Sequence, residues 1–329
     1  MAERQHYVQR AYLDRWARDR NVCVRWRDGK AYPTNPVNVA VECGFYDIAT
    51  ADGDVSREVE DLLGEFEGDA VGIFRRIDES GIPPAEGSHD RQVLAAYLAL
   101  QVNRTPEQRE RMLFPERVHT WLSGRDLTVE LVEEYLRDVH LLFAPARSEV
   151  QGAFDFAAVA LDGRSDPFSN EWAITTMLTS SSQIEPALLH GFSWTVEHER
   201  KGRFITSDSP VTLWRTPSER DRYQGFGYED AEEVRFPLDP TKQLVLTPHV
   251  RPPSVRVSPA RADDCNREVV ASCHQFIVMG PSQRRWLDGV PLKSHRPVLR
   301  FNSGPCYEQR RDGSRVYKGE MIHTWIPRC

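Results

Sequence analysis

A short polar segment between two strand-like runs carries residues whose types could do chemistry. The run 204–211 starts apolar, turns polar at Ser207-Asp208-Ser209 and continues as a strand after Pro210. Polar groups on a loop between rigid strands are where binding and catalytic residues commonly lie. Asp208 is therefore a candidate acid, base or metal ligand, with Ser207 beside it to bind a substrate. The alternative is an Asx-type turn, in which the Asp208 carboxylate bonds its own backbone.

A second candidate group lies at the start of the chain. His6 and Arg10 are four positions apart in a segment, Gln5 to Asp19, whose apolar residues have helical spacing. Side chains four apart on a helix reach one surface patch. His6 would then carry protons and Arg10 would bind an anion. A solvated helix face explains the same spacing.

Two later helices supply further candidates. Glu67 lies two helical turns from Glu60 and beside the apolar stripe of a long predicted helix, where a carboxylate requires a partner. Gln101 and Arg104 lie three apart at the end of the most apolar predicted helix. Glu67 is a candidate catalytic residue, and Gln101 and Arg104 are candidate substrate-binding residues. The alternatives are a surface carboxylate and an arginine that caps helix carbonyls.

Motifs that would specify a cofactor are missing from the sequence. It has no Walker A motif, no GxGxxG, no HExxH and no GxSxG. Glu199 and Lys201 have the ExK spacing of metal-dependent nucleases, but Asp208 follows them instead of preceding them. No pair of histidines has the spacing of a zinc site. The cofactor is thus unspecified, although a divalent metal is compatible with the acids named above.

The periodicity of apolar residues changes once along the chain. Residues 1–190 have mostly helical spacing, interrupted by a hairpin between Val22 and Tyr32. After Gly191, strand-sized runs with two-residue periodicity predominate, and 192–197 with 203–206 resembles a hairpin around a turn. This order predicts an α+β fold with a helical N-terminal half packed on a mainly antiparallel sheet formed by the C-terminal half. We expect a single domain, 1–329, with two lobes, 1–190 mainly helical and 191–329 mainly β.

Composition restricts the class of protein. The chain has 329 residues, a formal net charge of −7 and 40% hydrophobic residues, so it can form a sizeable core. No apolar run approaches the roughly 18 residues that span a bilayer, and the first ten residues are polar. We therefore expect a cytoplasmic protein without a membrane partner. Its six cysteines show no CxxC, which favours reduced thiols.

Charge is distributed unevenly. Acids predominate between Asp52 and Asp69, whereas ten Lys or Arg residues oppose four acids between Arg284 and Arg328. A basic segment can steer an anionic ligand toward the protein. A solvated charged face explains the same composition.

Several separated motifs resemble, in the same order, the landmarks of a bacterial family known as domain of unknown function 4238. They are QHYVQRAYL at 5–13, LQVNRTP at 100–106, FITSDSPV at 204–211, FPLDP at 236–240, and Asn266. The resemblance spans residues 5 to about 280 and leaves out about the last fifty residues. One departure is Gln9, where the resemblance leads us to expect proline.

The resemblance implies that several candidate residues belong to one site, and it implies no activity. These residues are His6, Arg10, Arg104, Ser207 and Asp208. We accordingly expect His6 or Arg10 to lie within hydrogen-bond reach of Asp208 or Glu67.

The favoured hypothesis is a hydrolase of the phosphodiesterase or nuclease type that acts on an anionic substrate. Asp208 and Glu67 would be acid/base residues or metal ligands, and His6 would be the proton carrier. Arg10 and Arg104 would clamp the anion, since a planar guanidinium binds such groups well.

Two other hypotheses fit the same residues. The first is a non-catalytic binding module that holds an anionic small molecule, a nucleic acid or a peptide. The second is a structural polar network, with the function elsewhere, for example in the basic C-terminal part. The sequence alone does not decide whether the chain is an enzyme.

Overall fold

The structure is a computed structural model of the chain. It describes residues 4–49, 55–56, 58–162, 170–217, 227–283, 287, 289–290, 292, 298–309 and 315–326. Parts of the acidic run between Asp52 and Asp69 and of the basic run between Arg284 and Arg328 lie outside these residues.

Helices occupy most of the chain between residues 58 and 190, where helical periodicity predicts them. The helices are α1 (Arg10–Leu13), α2 (Glu58–Ser80), α3 (His89–Asn103), α4 (Pro106–Leu122), α5 (Val129–Asp138), α6 (Arg147–Leu161), α7 (Asn170–His190) and α8 (Pro259–Ser272). The strands are β1 (Arg4–His6), β2 (Val22–Trp26), β3 (Tyr32–Thr34), β4 (Val41–Cys43), β5 (Ile48–Ala49), β6 (Val55–Ser56), β7 (Ser193–His198), β8 (Thr206–Ser207), β9 (Thr212–Trp214), β10 (Glu233–Asp239), β11 (Lys242–Thr247), β12 (Ser254–Arg256), β13 (Phe276–Met279), β14 (Arg300–Gln309) and β15 (Arg315–Trp325).

The α+β class is confirmed, but the division into a helical half and a β half is too simple. A five-stranded sheet with the order β12-β7-β11-β10-β9 comes entirely from the second half. A four-stranded sheet with the order β3-β2-β13-β8 combines the predicted N-terminal hairpin with two later strands. Among the described pairs, only β12 with β7 is parallel. Long-range pairing therefore mixes the two halves.

The prediction of a single helix from Gln5 to Asp19 is wrong. His6 ends strand β1, where it pairs with Val41 of β4. The backbone of Gln9 is not helical, with φ −49° and ψ 128°, so the helix begins only at Arg10. Pairing with a distant strand outweighs local helix propensity, which is a weak preference.

The predicted hairpin between 192–197 and 203–206 is also wrong. Strand β7 pairs with β11 and β12, whereas β8 pairs with β13 in the other sheet. The chain does turn at Gly202, which has a φ of +65°. After this turn, it leaves the five-stranded sheet, so Asp208 lies at the end of a strand of the four-stranded sheet.

Aromatic side chains connect the helices to the five-stranded sheet in the largest hydrophobic cluster. Tyr12 of α1 stacks on Phe236 of β10, with ring centroids 4.9 Å apart. Phe74 of α2 meets the ring of Tyr97 of α3 edge-on at 5.5 Å. These contacts fix the N-terminal segment, α2 and α3 relative to β10, and they position the candidate residues described below.

A second hydrophobic cluster lies where α4, α5 and α6 meet β14. Phe114 of α4 packs on Phe301 of β14 with ring centroids 4.4 Å apart. Helix α4 also contributes Met112 to the largest cluster, so it joins the two clusters.

None of the described helices is long and apolar enough to cross a membrane. Cys43 and Cys265 are free cysteines.

Helix α6 approaches β14 so closely that it requires a glycine. A Cβ atom on Gly152 would lie 2.9 Å from the backbone N and C atoms of Asn302 and 3.0 Å from the backbone N of Ser303. We expect Gly152→Ala to lower the free energy of unfolding by about 1–3 kcal/mol, because backbone atoms would have to move. Urea denaturation followed by circular dichroism measures this change.

Gly68→Ala in the middle of α2 is the matched control. A Cβ atom at Gly68 would meet nothing within 4 Å. Alanine has the higher helix propensity, so this variant should be stabilised by up to about 1 kcal/mol. Equal effects of the two substitutions would contradict the close approach of α6 to β14.

Candidate functional site

Arg104 follows α3 and is only 1% exposed. Its Nε and Nη2 donate to Oε1 of Gln101 at 3.0 and 2.6 Å, and its Nη1 donates to Oε1 of Glu67. A buried guanidinium is tolerated only when its N–H groups are paired, and a carboxylate is its strongest partner. Gln101 and Glu67 therefore hold Arg104 in place, and Arg104 fixes the Glu67 carboxylate.

Three further hydrogen bonds tie this group to the N-terminal segment. Gln101 Nε2 donates to the main-chain oxygen of Tyr7 at 3.2 Å. Gln9 Nε2 donates to the main-chain oxygen of Glu67 at 2.9 Å, and Tyr97 Oη donates to Gln9 Oε1 at 3.1 Å. The segment after β1 is thus bonded to both α2 and α3.

His6 lies beside this network. A hydrogen bond with the main chain of Pro36 is one of the interactions that shift the pKa of its ring. The Nε2 atom is buried without a hydrogen-bond partner.

Burial lowers the pKa of His6 below its usual value, so the neutral ring is favoured at neutral pH. The Pro36 bond and the charge of Glu67 oppose this shift, while Arg10 and Arg4 reinforce it. A neutral imidazole with a free nitrogen is suited to accept a proton. We call His6, Glu67, Gln101 and Arg104 the His6 centre.

The His6 centre is open to solvent on one side. The Glu67 side chain is 20% exposed, whereas Arg104 beneath it is buried. Arg10 lies at its edge with a side chain that is 57% exposed, 3.7 Å from Asp14. A solute can therefore reach the carboxylate and the nearby arginine without entering the core.

Asp208 lies in a different environment. It is fully buried, and its Oδ1 and Oδ2 accept hydrogen bonds from the backbone N–H groups of His274 (2.9 Å) and Gln275. Burial raises the pKa of Asp208, while His274, these two N–H groups and Arg27 act in the opposite direction. The carboxylate thus joins the end of β8 to the start of β13.

The Asx-type turn considered for Asp208 does not form. The turn bond belongs to Ser207, whose Oγ accepts from the backbone N–H of Ser209 at 3.1 Å. The Asp208 carboxylate reaches across to another strand instead. Its partners are close in space and distant in sequence, which is why local turn patterns do not reveal them.

The structure separates the candidate residues into two groups. His6, Glu67, Gln101 and Arg104 lie together with Arg10 at their edge, whereas Ser207 and Asp208 face β13. The main charged neighbours of Asp208 are His274 and Arg27, not the expected Arg10 or Arg104. The two groups are linked through Tyr12, whose hydroxyl is 2.7 Å from Thr206 Oγ1 and 2.8 Å from the Pro237 oxygen.

Sequence reasoning missed the partners of Asp208. His274 is 1% exposed, and its Nε2 lies 3.6 Å from Oε1 of Glu110 on α4. This separation suits an ion pair and exceeds a hydrogen-bond length. Burial lowers the pKa of His274, whereas the charges of Glu110 and Asp208 raise it. The net effect is a pKa above the usual value for histidine. A lone histidine before a short strand gives no sequence signal of this role.

The described residues contain no group of three His, Cys, Asp or Glu side chains arranged to hold a metal ion. The two acids proposed as metal ligands also have other partners. Glu67 is paired with Arg104, and both oxygens of Asp208 accept backbone N–H bonds.

We expect Asp208→Asn to destabilise the fold. An asparagine amide replaces one acceptor oxygen with an NH2 group, which leaves a buried backbone N–H of His274 or Gln275 without an acceptor. The expected loss in the free energy of unfolding is about 1–3 kcal/mol. Asp69→Asn on the exposed side of α2 is the control, with an expected change within about 0.5 kcal/mol. Urea denaturation that gives equal values for the two variants would refute the role of Asp208.

His274 should make stability depend on pH with a defined sign. Its pKa in the folded protein is raised above the ordinary value of 6.5. Its contribution is therefore fully present below about pH 6.5 and is lost as pH rises through the folded pKa. The difference in unfolding free energy between the wild type and His274→Gln, measured by urea denaturation from about pH 6 to pH 9, should decrease with pH. A difference that stays constant or increases would show that Glu110 and Asp208 do not favour the charged ring.

Comparison with known proteins supports the resemblance seen in the motifs. Residues 4–283 match the family described as Protein of unknown function (DUF4238). Comparisons with curated proteins and with solved structures gave no match. The match covers most of the chain, includes the His6 centre and Asp208, and ends before β14. The chain therefore belongs to the DUF4238 family.

Proposed function

We propose that the chain is a hydrolase of the phosphodiesterase or nuclease type, with His6 as its general base. The observation that carries this proposal is the state of the His6 ring. Its Nε2 is buried without a hydrogen-bond partner, and burial lowers its pKa below the usual value. A neutral imidazole with an unpaired ring nitrogen can take a proton from water.

The charges that act on His6 support an anionic substrate. Arg4 and Arg10 are the nearby cations, and Glu67 is the nearby anion. Among the charged groups that shift the pKa of His6, the arginines outnumber Glu67, which is already paired with Arg104. The Arg10 side chain is largely exposed and has only a long contact to Asp14. A guanidinium in this position can bind a phosphate group through two parallel hydrogen bonds.

The reaction follows from these roles. His6 Nε2 removes a proton from a water molecule, the water oxygen attacks phosphorus, and the bond to the leaving oxygen breaks. The imidazolium formed on His6 then gives its proton to the leaving oxygen. Glu67 stabilises this imidazolium through its negative charge, and Arg104 keeps the carboxylate in place. The role of Asp208 is structural, because its carboxylate positions β8 against β13.

His6→Asn tests this assignment. Asparagine keeps a polar group near the position of Nδ1, but nothing replaces Nε2. We expect hydrolysis of bis(4-nitrophenyl) phosphate and of a fluorescently labelled oligonucleotide to fall about 10²–10⁴-fold. Release of 4-nitrophenol and gel electrophoresis measure the two reactions. His119→Asn, on the exposed side of α4, is the control and should keep wild-type rates.

The outcomes separate hydrolysis from binding. Wild-type rates in His6→Asn would show that His6 is not the base. If the wild-type protein hydrolyses neither probe but binds the oligonucleotide in fluorescence anisotropy, the chain is a binding module. Arg10→Gln would then be expected to weaken that binding, because it removes the exposed cation beside His6.

A further inference from the structure

Helix α8 covers a polar face of the five-stranded sheet. On β7, Trp194 and Val196 point into the largest hydrophobic cluster, while the alternating residues Thr195 and Glu197 point to the opposite face. That face contacts α8, since Arg261 of α8 donates to Glu197 at 3.1 Å. A buried sheet face is usually apolar, so the polar character of this one requires an explanation.

Four polar atoms on this face are buried and have no hydrogen-bond partner. They are Oγ1 of Thr195, Oγ1 of Thr212, Nη2 of Arg235 and Oε1 of Gln243. Each of these residues is at most 1% exposed. Buried polar atoms in native proteins are nearly always paired, and an unpaired one is costly. Four on one face indicate a missing partner.

Strand register places these residues along one row of the sheet. Val245 of β11 lies opposite Thr195 of β7 and opposite Arg235 of β10, and Arg235 lies opposite Thr212 of β9. Neighbouring strands are about 4.8 Å apart, so the row crosses about 14 Å of the sheet. Gln243 lies two residues before Val245 on the same face, diagonal to Arg235.

The remaining atoms of two of these side chains are already engaged. Arg235 Nε donates to Glu233 at 2.5 Å, its Nη1 lies 3.5 Å from Asp264 of α8, and its guanidinium stacks 4.7 Å from the ring of Trp214. Gln243 Nε2 donates to Glu197 at 2.7 Å. The unpaired Nη2 of Arg235 and Oε1 of Gln243 are thus held in fixed directions.

The charges that line the buried part of this face balance. The three arginines with mostly buried side chains are matched by three carboxylates, namely Arg235, Arg251, Arg261, Glu197, Glu233 and Asp264. A fourth arginine, Arg267, contacts Asp264 from the solvent side with a side chain that is 70% exposed. A charged ligand buried here would therefore be left without a counter-charge, whereas an uncharged one would not. The unpaired groups include a donor on Arg235, an acceptor on Gln243 and two hydroxyls that can do either. Hydroxyl groups on a ligand can donate to or accept from each of these kinds of group.

We propose that the polar face of β7, β11, β10 and β9 beneath α8 binds a small uncharged polyhydroxylated molecule, such as a sugar or a polyol. The partly exposed side chains of Arg251 and Arg261, 27% and 22% exposed, lie at the solvent edge of this face. This site is distinct from the His6 centre and does not depend on the function proposed for that centre.

Saturation-transfer difference NMR on the full chain tests the proposal, with D-ribose, D-glucose, myo-inositol and glycerol as probes. We expect saturable transfer to at least one of them, with a matching rise in Tm. Thr212→Val preserves side-chain shape and removes the hydroxyl, so it should weaken binding of that probe about five- to tenfold.

Thr247→Val is the matched control, because Thr247 lies on β11 but its hydroxyl already donates to the His249 oxygen at 2.7 Å. Its affinity for the probe should equal that of the wild type. The proposal is overturned if no probe receives saturation. It is also overturned if Thr212→Val and Thr247→Val weaken binding equally, or if a crystal soaked with the probes shows only water at Arg235 and Thr212.

Discussion

The buried guanidinium of Arg104 is the interaction on which the arrangement of the N-terminal half depends. Its N–H groups are paired only when Gln101 of α3 and Glu67 of α2 are both in place. Gln101 in turn holds the main chain of Tyr7, next to His6. Removing one partner of a buried ion pair typically costs about 3–5 kcal/mol. The hydrogen bonds of the Arg104 guanidinium and of Gln101 therefore connect helix α2, helix α3 and the segment after β1.

The polar groups described above differ in how completely their buried atoms are paired. The guanidinium of Arg104 and the carboxylate of Asp208 have partners within the chain, so they act as structural ties. His6 retains one unpaired buried nitrogen, and the face beneath α8 retains four unpaired atoms. Unpaired buried atoms are costly to stability, and they are where a ligand or substrate gains most from binding. Both ring nitrogens of His274 are unpaired as well, so the functional hypotheses rest on the position of each unpaired atom in addition to its lack of a partner.

Local signals in the sequence predicted most of the helices and many of the strands. Ser88, Thr105 and Thr128 each cap a helix with a side-chain oxygen, and serine and threonine are residue types that favour helix starts. Caps and periodicity act within a few residues, so they are readable from the chain. The prediction of the first helix was wrong because β1 pairs with β4, more than thirty residues away. Local patterns also did not predict that strands from both halves of the chain would form the four-stranded sheet.

The sequence by itself determined the α+β class and the family, and it named His6, Glu67, Gln101 and Arg104 as candidate residues. It determined these because residue type, spacing and order are written in the chain. Only the tertiary structure decided that Asp208 bonds to the N–H groups of His274 and Gln275, far from His6. It also decided that Thr195, Thr212, Arg235 and Gln243 share one buried face. The physical reason is that burial and strand register, which set the partners and the protonation of a polar group, arise from contacts between residues distant in sequence.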